Sequence, residues 1–430
     1  MAVSLVDDLT ALTASEAARR IAAGRLTASA LVDALLARIA LREPQVAAWA
    51  FLDPELARAA ARARDSERPR GSLHGVPIGI KDVIATADQP TQCNSPIYDG
   101  HRPAADAVCV ERLRRAGAIV LGKTVTTEFA NLHPGPTRNP HDLARTPGGS
   151  SSGSAASVAD YMVPVALGTQ TGGSTIRPAA FCGVVGYKPA FGLFPTGGVK
   201  YLAPSLDTIG VMARDLDDVA LVSAVLAGGS VREISAPPPP RLAVFATPYA
   251  AQAEPAAAER LAAVAQRAAA DGARTRMLEA PVEFAAIDAA HRVIMAVETA
   301  RSFASEWQTV RDRLSGELAG FIARGLGHTG DELAQAWATV AAARRWLAAT
   351  LMPDEIILSF PAAGEAPVGQ GATGSAVFNR LWTVLHAGCV TIPAGLGPNG
   401  MPLGVQLIDP AGDERRLLGA ARWLESRAAP

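Results

Sequence analysis

An α/β fold on a largely parallel or mixed β-sheet is predicted from three observations. Short apolar runs rich in β-branched residues, bounded by Gly or Pro, alternate with stretches whose apolar residues recur every three or four positions. A helical segment, residues 14–65, precedes that alternation, and strand-like runs return from about Leu351. Hydrophobic residues make up 49% of the 430 and charged residues 19%, enough for a large core and unlike a disordered chain.

Taken in order, SEAARRIAAGRL, TASALVDALLARIALREP and PELARAAARARD read as helices, with Ser15 and Thr27 as N-caps and Pro44 and Pro54 as punctuation. HGVPIGIKDVIATAD then reads as a buried strand, DAVCVERLRRAG as a helix, GAIVLGKT as a strand and SGSAASVADYM as a helix. VPVALGTQT is a strand, LDDVALVSAVLAG a helix, RLAVFATP a strand and PAAAERLAAVAQRAAADG a helix. EIILSFPA, CVTIPAG and LGVQLI supply closing strands. The run Pro237–Pro240 is the clearest linker signal, either a domain boundary or a stiff surface connection. No internal repeat is visible.

Composition excludes several classes of function. The 40 basic and 41 acidic residues leave a net charge of -1, which argues against nucleic-acid binding through a basic surface. Seven His and four Cys, without CxxC or HExxH, give no reason to expect a metal site, and no cofactor is implied. No long charge-free apolar stretch predicts a membrane span, and the N-terminus MAVSLVDDLTALTASEAARR lacks the pattern of a secretory signal. The expectation is a cytoplasmic protein with free thiols at Cys93, Cys109, Cys182 and Cys389. Of the basic residues only Lys81, Lys123, Lys188 and Lys200 are lysines. A chain that avoids Lys yet keeps one in the apolar run GIKDV has a use for an amine, since Arg cannot serve as a base.

Two motif matches are weak. Gly117–Thr124 fits the P-loop expression, but its Ala-Ile-Val-Leu interior favours a strand whose N–H groups are taken by a ladder. Gly149–Gly153 fits GxSxG, with His291, His328 and His386 downstream, but loop chemistry and not a strand precedes it.

Three segments carry more chemistry. In GTQTGGSTIRP a Ser follows Thr-Gly-Gly, a turn whose successive N–H groups can converge on one oxyanion, or which is a structural turn only. In GVPIGIKDV, Lys81 in a buried strand loses solvation and its pKa falls towards ~7, where a neutral amine can act as general base; the alternative is a lysine reaching out to water. In TPGGSSSGS the hydroxyls can relay protons, cap a helix or bind phosphate.

Together these segments resemble the amidase signature family of serine hydrolases. The resemblance extends through GAIVLGKT, SLDTIGVMARDLDDVALV, TGSAVFNRLWTVLHAGCVTIPAG and MPLGVQLI, over most of the chain. It implies a single α/β domain, a large mixed sheet covered by helices on both faces. Its expected parts are N-terminal helices (1–65), a signature core (66–230), a helix-rich insertion lining the substrate pocket (231–350) and a C-terminal sheet part (351–430). It also implies a Ser–cis-Ser–Lys triad, with Lys81 as base, Ser150 as relay after a cis peptide bond and Ser174 as nucleophile. The oxyanion hole would be the N–H groups of Thr171, Gly172, Gly173 and Ser174. Thr126, Gly149 and Ser151 would contact substrate. Two departures stand out: Gln170 occupies a position where many members carry Asp, and Arg177 stands three residues after the nucleophile where many have Arg two after it.

The reading that follows is hydrolysis of a small carboxamide through an acyl-enzyme on Ser174, releasing ammonia or an amine. The alternative is a glutamine-dependent amidotransferase subunit for tRNA-linked substrates, needing partner chains. A third reading is a catalytically silent binding protein. The pocket is expected around Gln92–Tyr98, Thr126–Asn131 and the 290–385 region, where Trp307, Trp337, Trp346 and Trp382 either line it or pack in the core. A homodimer through the N-terminal helices is compatible with the sequence but is not shown by it.

Overall fold

The computed structural model describes residues 9–229 and 238–428. The boundary expected at 230–231, Pro237 of the linker run and the first eight residues lie outside them. Among the described residues eleven strands form one sheet. In chain order they are β1 (Trp49–Phe51), β2 (Pro77–Lys81), β3 (Ile119–Thr124), β4 (Val165–Gln170), β5 (Val185–Lys188) and β6 (Thr208–Ala213). β7 (Arg241–Val244), β8 (Arg274–Met277), β9 (Glu355–Ser359), β10 (Gly388–Leu396) and β11 (Pro402–Asp409) complete it. Their spatial order is β1-β3-β2-β4-β6-β5-β10-β11-β9-β7-β8. β3, β2 and β4 run parallel, as do β9, β7 and β8, and the strands between them pair antiparallel, so the sheet is mixed.

The central strands are apolar on both sides because helices cover both faces. Alternate residues enter different cores. Ile78, Ile80, Val120, Leu167 and Val211 join one cluster, whereas Ile119, Leu121, Ala166 and Met212 join another with Val32, Leu36 and Ile39 of the helix Ala28–Val46. Among the described residues no helix is long and apolar enough to cross a membrane. All four cysteines are buried and unpaired.

The predicted elements are present, with differences at several edges. The helix Ala14–Ala22 is capped by Thr13, whose side chain accepts from the Glu16 N–H; Ser15 lies inside it and donates its own N–H to Asp218 at 2.7 Å. Thr27 caps the helix Ala28–Val46 as expected. Pro44 does not end that helix but sits in its last turn, and Ala47 at φ 50° breaks it. Pro54 opens the helix Pro54–Ser66. Strands β1, β5, β6 and β8 are not legible in the sequence. β1 has three residues and β5 four, too short to show a period; β6 is buried along its whole length like β2, β3 and β4 but leads directly into the charged start of the next helix. β8, Arg-Thr-Arg-Met, is a largely exposed edge strand whose charges guard an open edge. GAIVLGKT is strand β3, laddered to β2, which removes the P-loop reading.

Candidate active site

The parallel pairing of β2 and β4, with Ile80 opposite Leu167, brings Lys81 and Thr169 side by side at the C-terminal ends of their strands. Lys81 is completely buried, so it does not reach out to water. Its Nζ lies 2.7 Å from Ser150 Oγ, 2.7 Å from Thr169 Oγ1 and 3.5 Å from the Thr169 carbonyl oxygen. Burial pulls its pKa down to about 7 against the weaker opposing field of Asp207.

The Gly149–Ser150 peptide bond is cis. The loop around it is fixed from several sides. The Ser150 carbonyl accepts from the Thr127 N–H at 3.2 Å, and the Ser151 N–H donates to the Ser174 carbonyl at 3.3 Å. Ser151 Oγ donates to the Thr169 carbonyl and accepts from the Thr169 N–H, both at 3.2 Å. Its hydroxyl proton is thus committed to a backbone carbonyl and not to a histidine, and it does not cap the following helix, Ser152–Ala159. His291 and His386 are engaged elsewhere, on the carbonyls of Thr171 and Ser205, and His328 lies beside Glu332, so the GxSxG reading fails.

Residues 171–174 form the turn between β4 and the helix Ile176–Cys182. Each of its four carbonyls is taken. The Thr171 carbonyl accepts from His291 Nε2 at 2.7 Å and the Gly172 carbonyl from the Thr383 hydroxyl at 2.7 Å. The Gly173 carbonyl accepts from the Arg177 N–H at 3.0 Å and the Ser174 carbonyl from the Ser151 N–H. Among the described residues none of the four N–H groups finds a protein acceptor. Buried Gln170 fixes the far side of the turn: its Oε1 accepts from the N–H groups of Thr175 (2.9 Å) and Ile176 (3.0 Å), and its Nε2 donates to Thr383 Oγ1 at 3.0 Å. A neutral amide thus does at position 170 what a carboxylate could not, donating and accepting at once. Thr171 Oγ1 donates to Asp207, whose other oxygen accepts from the N–H groups of Leu202 (2.7 Å) and Ala203 (3.0 Å). Burial raises the Asp207 pKa to about 6.

The turn faces a cavity of about 630 Å³ lined by Thr171, Gly172, Gly173, Ser174 and Arg177, with Asn131 and Leu132 on one side and His291, Phe321 and Arg380 on the other. Thr126, Gly149 and Ser151 are not among its lining residues. Thr126 is buried, and Gly149 offers its carbonyl to Arg177 Nη2 at 2.6 Å. The 92–98 loop does not line the cavity, whereas Ala130, Asn131 and residues from 289 to 380 do. The four tryptophans stay out of it: Trp382 is fully buried against Phe245, Trp346 packs on Phe284, and Trp307 and Trp337 pack partly buried against the cores. Sequence reasoning missed Thr169, Asp207 and Thr383 as functional residues, although each stands in a segment that carries the family resemblance; His291 has no sequence signal beyond its residue type.

Comparison with known proteins defines the class of protein by family and fold. The chain belongs to the amidase family, whose sequence profile matches residues 30–418. It is 48% identical over 239 residues to a glutamyl-tRNA(Gln) amidotransferase subunit from Chloroflexus aggregans, covering 53% of this chain and 49% of that protein. To the protein of the same name from Anaeromyxobacter sp. (strain K) it is 45% identical over 238 residues, 53% and 48% of the two chains. The chain thus spans about half the length of the curated relatives it matches. Solved structures align along nearly its whole length. One described as an amidase has a TM-score of 0.89 at 29% identity, covering 97% of this chain and 100% of that one. Native peptide amidase from Stenotrophomonas maltophilia has a TM-score of 0.81 at 28% identity, covering 97% of each.

Proposed function

We propose that this protein cleaves a carboxamide by forming an acyl-enzyme on Ser174. Neutral Lys81 accepts the Ser150 proton while Ser150 takes that of Ser174. Ser174 Oγ bonds to the amide carbon, and the oxyanion is met by the free N–H groups of the 171–174 turn. Ser150 returns a proton to the nitrogen as the C–N bond breaks, releasing ammonia or an amine. Water then hydrolyses the ester through the same relay and leaves a carboxylic acid. The observation that carries this reading is the 2.7 Å contact of Ser150 with a lysine whose burial keeps it half-neutral near pH 7.

The curated relatives favour a second reading, a glutamine-dependent amidotransferase subunit that passes its ammonia on with partner chains. The two readings share every step to the acyl-enzyme. Among the described residues no Asp or Glu lines the cavity to receive the ammonium group of glutamine, whereas the arginines of the wall suit its carboxylate. The test is incubation of wild type and Ser174→Ala with a panel of amides including glutamine, following ammonia, alongside a fluorophosphonate probe read by intact mass. Ammonia release and one adduct in wild type alone support the assignment. Equal labelling of both proteins overturns Ser174 as nucleophile. Turnover of glutamine only with partner subunits present selects the amidotransferase.

A further inference from the structure

A second cavity shares no lining residue with the catalytic one among the described residues. Its volume is about 300 Å³, at the small end of ligand sites. It is framed by Glu355, the first residue of β9, by Asp409, the last of β11, and by the C-terminal half of the helix Gly330–Thr350. Leu347, Leu351, Met352 and Leu385 make its lining largely apolar.

The charges around it are paired but for one. Asp409 accepts from Arg416 Nε at 3.0 Å and Nη2 at 2.6 Å, and Glu355 from Arg276 Nε at 2.6 Å and Nη2 at 2.7 Å. Arg344 has no ion pair among the described residues. Its Nη2 donates to the Val384 carbonyl at 2.9 Å, its Nε is buried without a partner, and no hydrogen bond engages its Nη1. A guanidinium stays charged at neutral pH, so this cavity holds a cation with an open edge and no counter-ion.

The group that Arg344 holds connects this cavity to the reacting atoms. Val384 is the last residue of the helix Val377–Val384, where a cation meets the negative end of the helix. Thr383, one residue earlier, donates to the Gly172 carbonyl at 2.7 Å. Asn379 of the same helix lies so close that a Cβ on Gly173 would stand 2.5 Å from its Oδ1. Leu385, one residue later, lines the second cavity. One helix therefore has the 171–174 turn along its side and the second cavity at its end.

We infer that this cavity is a regulatory site for a small carboxylic acid with a branched or cyclic apolar body, and that its occupation raises the catalytic rate by holding the helix Val377–Val384 against the turn that bears Ser174. The binding requires no particular reaction; the rate effect rests on the amide-cleaving reading. The carboxylate gains charge-assisted hydrogen bonds from the open edge of Arg344. The hydrocarbon displaces water from Leu347, Leu351 and Leu385. Both acids of the wall already hold an arginine by two bonds, so an ammonium group finds no free partner. The ligand prefers the form in which Arg344 and Leu385 are seated, and in that form Thr383 reaches the turn.

The experiment titrates the whole protein with isovalerate and benzoate, and with isoamyl alcohol and benzyl alcohol as neutral counterparts, by isothermal titration calorimetry. At least one acid should bind saturably, and its alcohol at least tenfold more weakly. Arg344→Gln should weaken binding at least tenfold. Ala348→Trp, which fills the cavity from an exposed position, should abolish it. Arg380→Gln, in the catalytic cavity, should leave it unchanged. Absence of saturable binding, binding that survives both Arg344→Gln and Ala348→Trp, or binding lost in Arg380→Gln instead overturns the site. At saturation the acid should raise kcat on the best amide of the panel at least twofold with KM unchanged, and in Thr383→Val it should still bind without raising the rate. An unchanged kcat in wild type, or the same rise in Thr383→Val, overturns the regulatory link. If no amide is turned over, the amide-cleaving reading fails by itself, and fluorophosphonate labelling of Ser174 reads the link. Faster labelling with the acid bound supports it, and an unchanged rate overturns it.

Discussion

The Thr383 hydroxyl donates to the Gly172 carbonyl at 2.7 Å and accepts from Gln170 Nε2, so one oxygen locks the turn that bears Ser174 to the strand that feeds it. Rotation of the Gly172–Gly173 peptide would turn an N–H away from the position of the oxyanion and put a carbonyl in its place. Thr383→Val keeps the shape and removes the hydroxyl. We expect kcat to fall by roughly 10- to 100-fold, less than loss of a direct oxyanion donor, with KM little changed. Thr383→Ser should restore most of it. Unchanged kcat in the valine variant would show that the turn holds its form without this bond.

Gly153, in the first turn of the Ser152–Ala159 helix, packs against the backbone beside β1 and β3. A Cβ there would collide with the Ala48 carbonyl and the Val125 N–H, both backbone and unable to swing aside. Gly153→Ala is expected to destabilise by about 3 kcal/mol or more, the upper range of overpacking, and to lower the yield of soluble protein. A melting temperature within a degree of wild type would contradict this contact.

Buried Lys123, the lysine of the P-loop-like run, donates to the Ile84 carbonyl at 2.8 Å and to Thr91 Oγ1 at 2.5 Å, and lies 3.3 Å from Asp82. Its role is to hold the 82–91 segment onto β3. Lys123→Ala leaves the buried Asp82 carboxylate unpaired and should cost about 3–5 kcal/mol, read as a lower denaturation midpoint. ATP should not shift the melting temperature of wild type; a shift would restore the nucleotide reading.

How far the site is legible in the sequence follows from how far apart its parts stand. Lys81 stands out because lysine is so rare here, and the Gly-Ser segments because each packs its chemistry into a few adjacent residues. The partners of Gln170 are not legible: Thr383 lies 213 positions away and meets it only because the helix Val377–Val384 packs behind the turn. The cavity wall is obscured in part for the same reason. Large aromatics are natural pocket candidates, yet hydrophobic burial takes Trp382 into the core, and arginines, buried Arg177 among them, stand in the wall instead. Of the N-caps, Ser15 looks as good as Thr13, and what separates them is Asp218, which takes the N–H groups of Ala14 (2.6 Å) and Ser15 from another helix.

Lys81 ties both activity and stability to pH, and both gain when its proton is absent. As general base it must be neutral, and its pKa of about 7 puts the rising limb of kcat/KM near neutrality. Lys81→Ala should cost roughly 100- to 10,000-fold in rate. A profile flat from acid to alkaline pH would exclude the lysine as base. In folding, the folded-state pKa lies below the unfolded value of ~10.4, so between these two values the unfolded chain binds the extra proton. Stability therefore falls as pH drops from about 10 to about 7, by about 1.4 kcal/mol per unit from this residue, and levels off below. Lys81→Met removes that contribution. The variant should gain on wild type steadily as the pH of a denaturant titration is lowered from about 10 to about 7. A constant difference across that window would mean that Lys81 enters the folded protein with its proton, and would remove the base from the proposed mechanism.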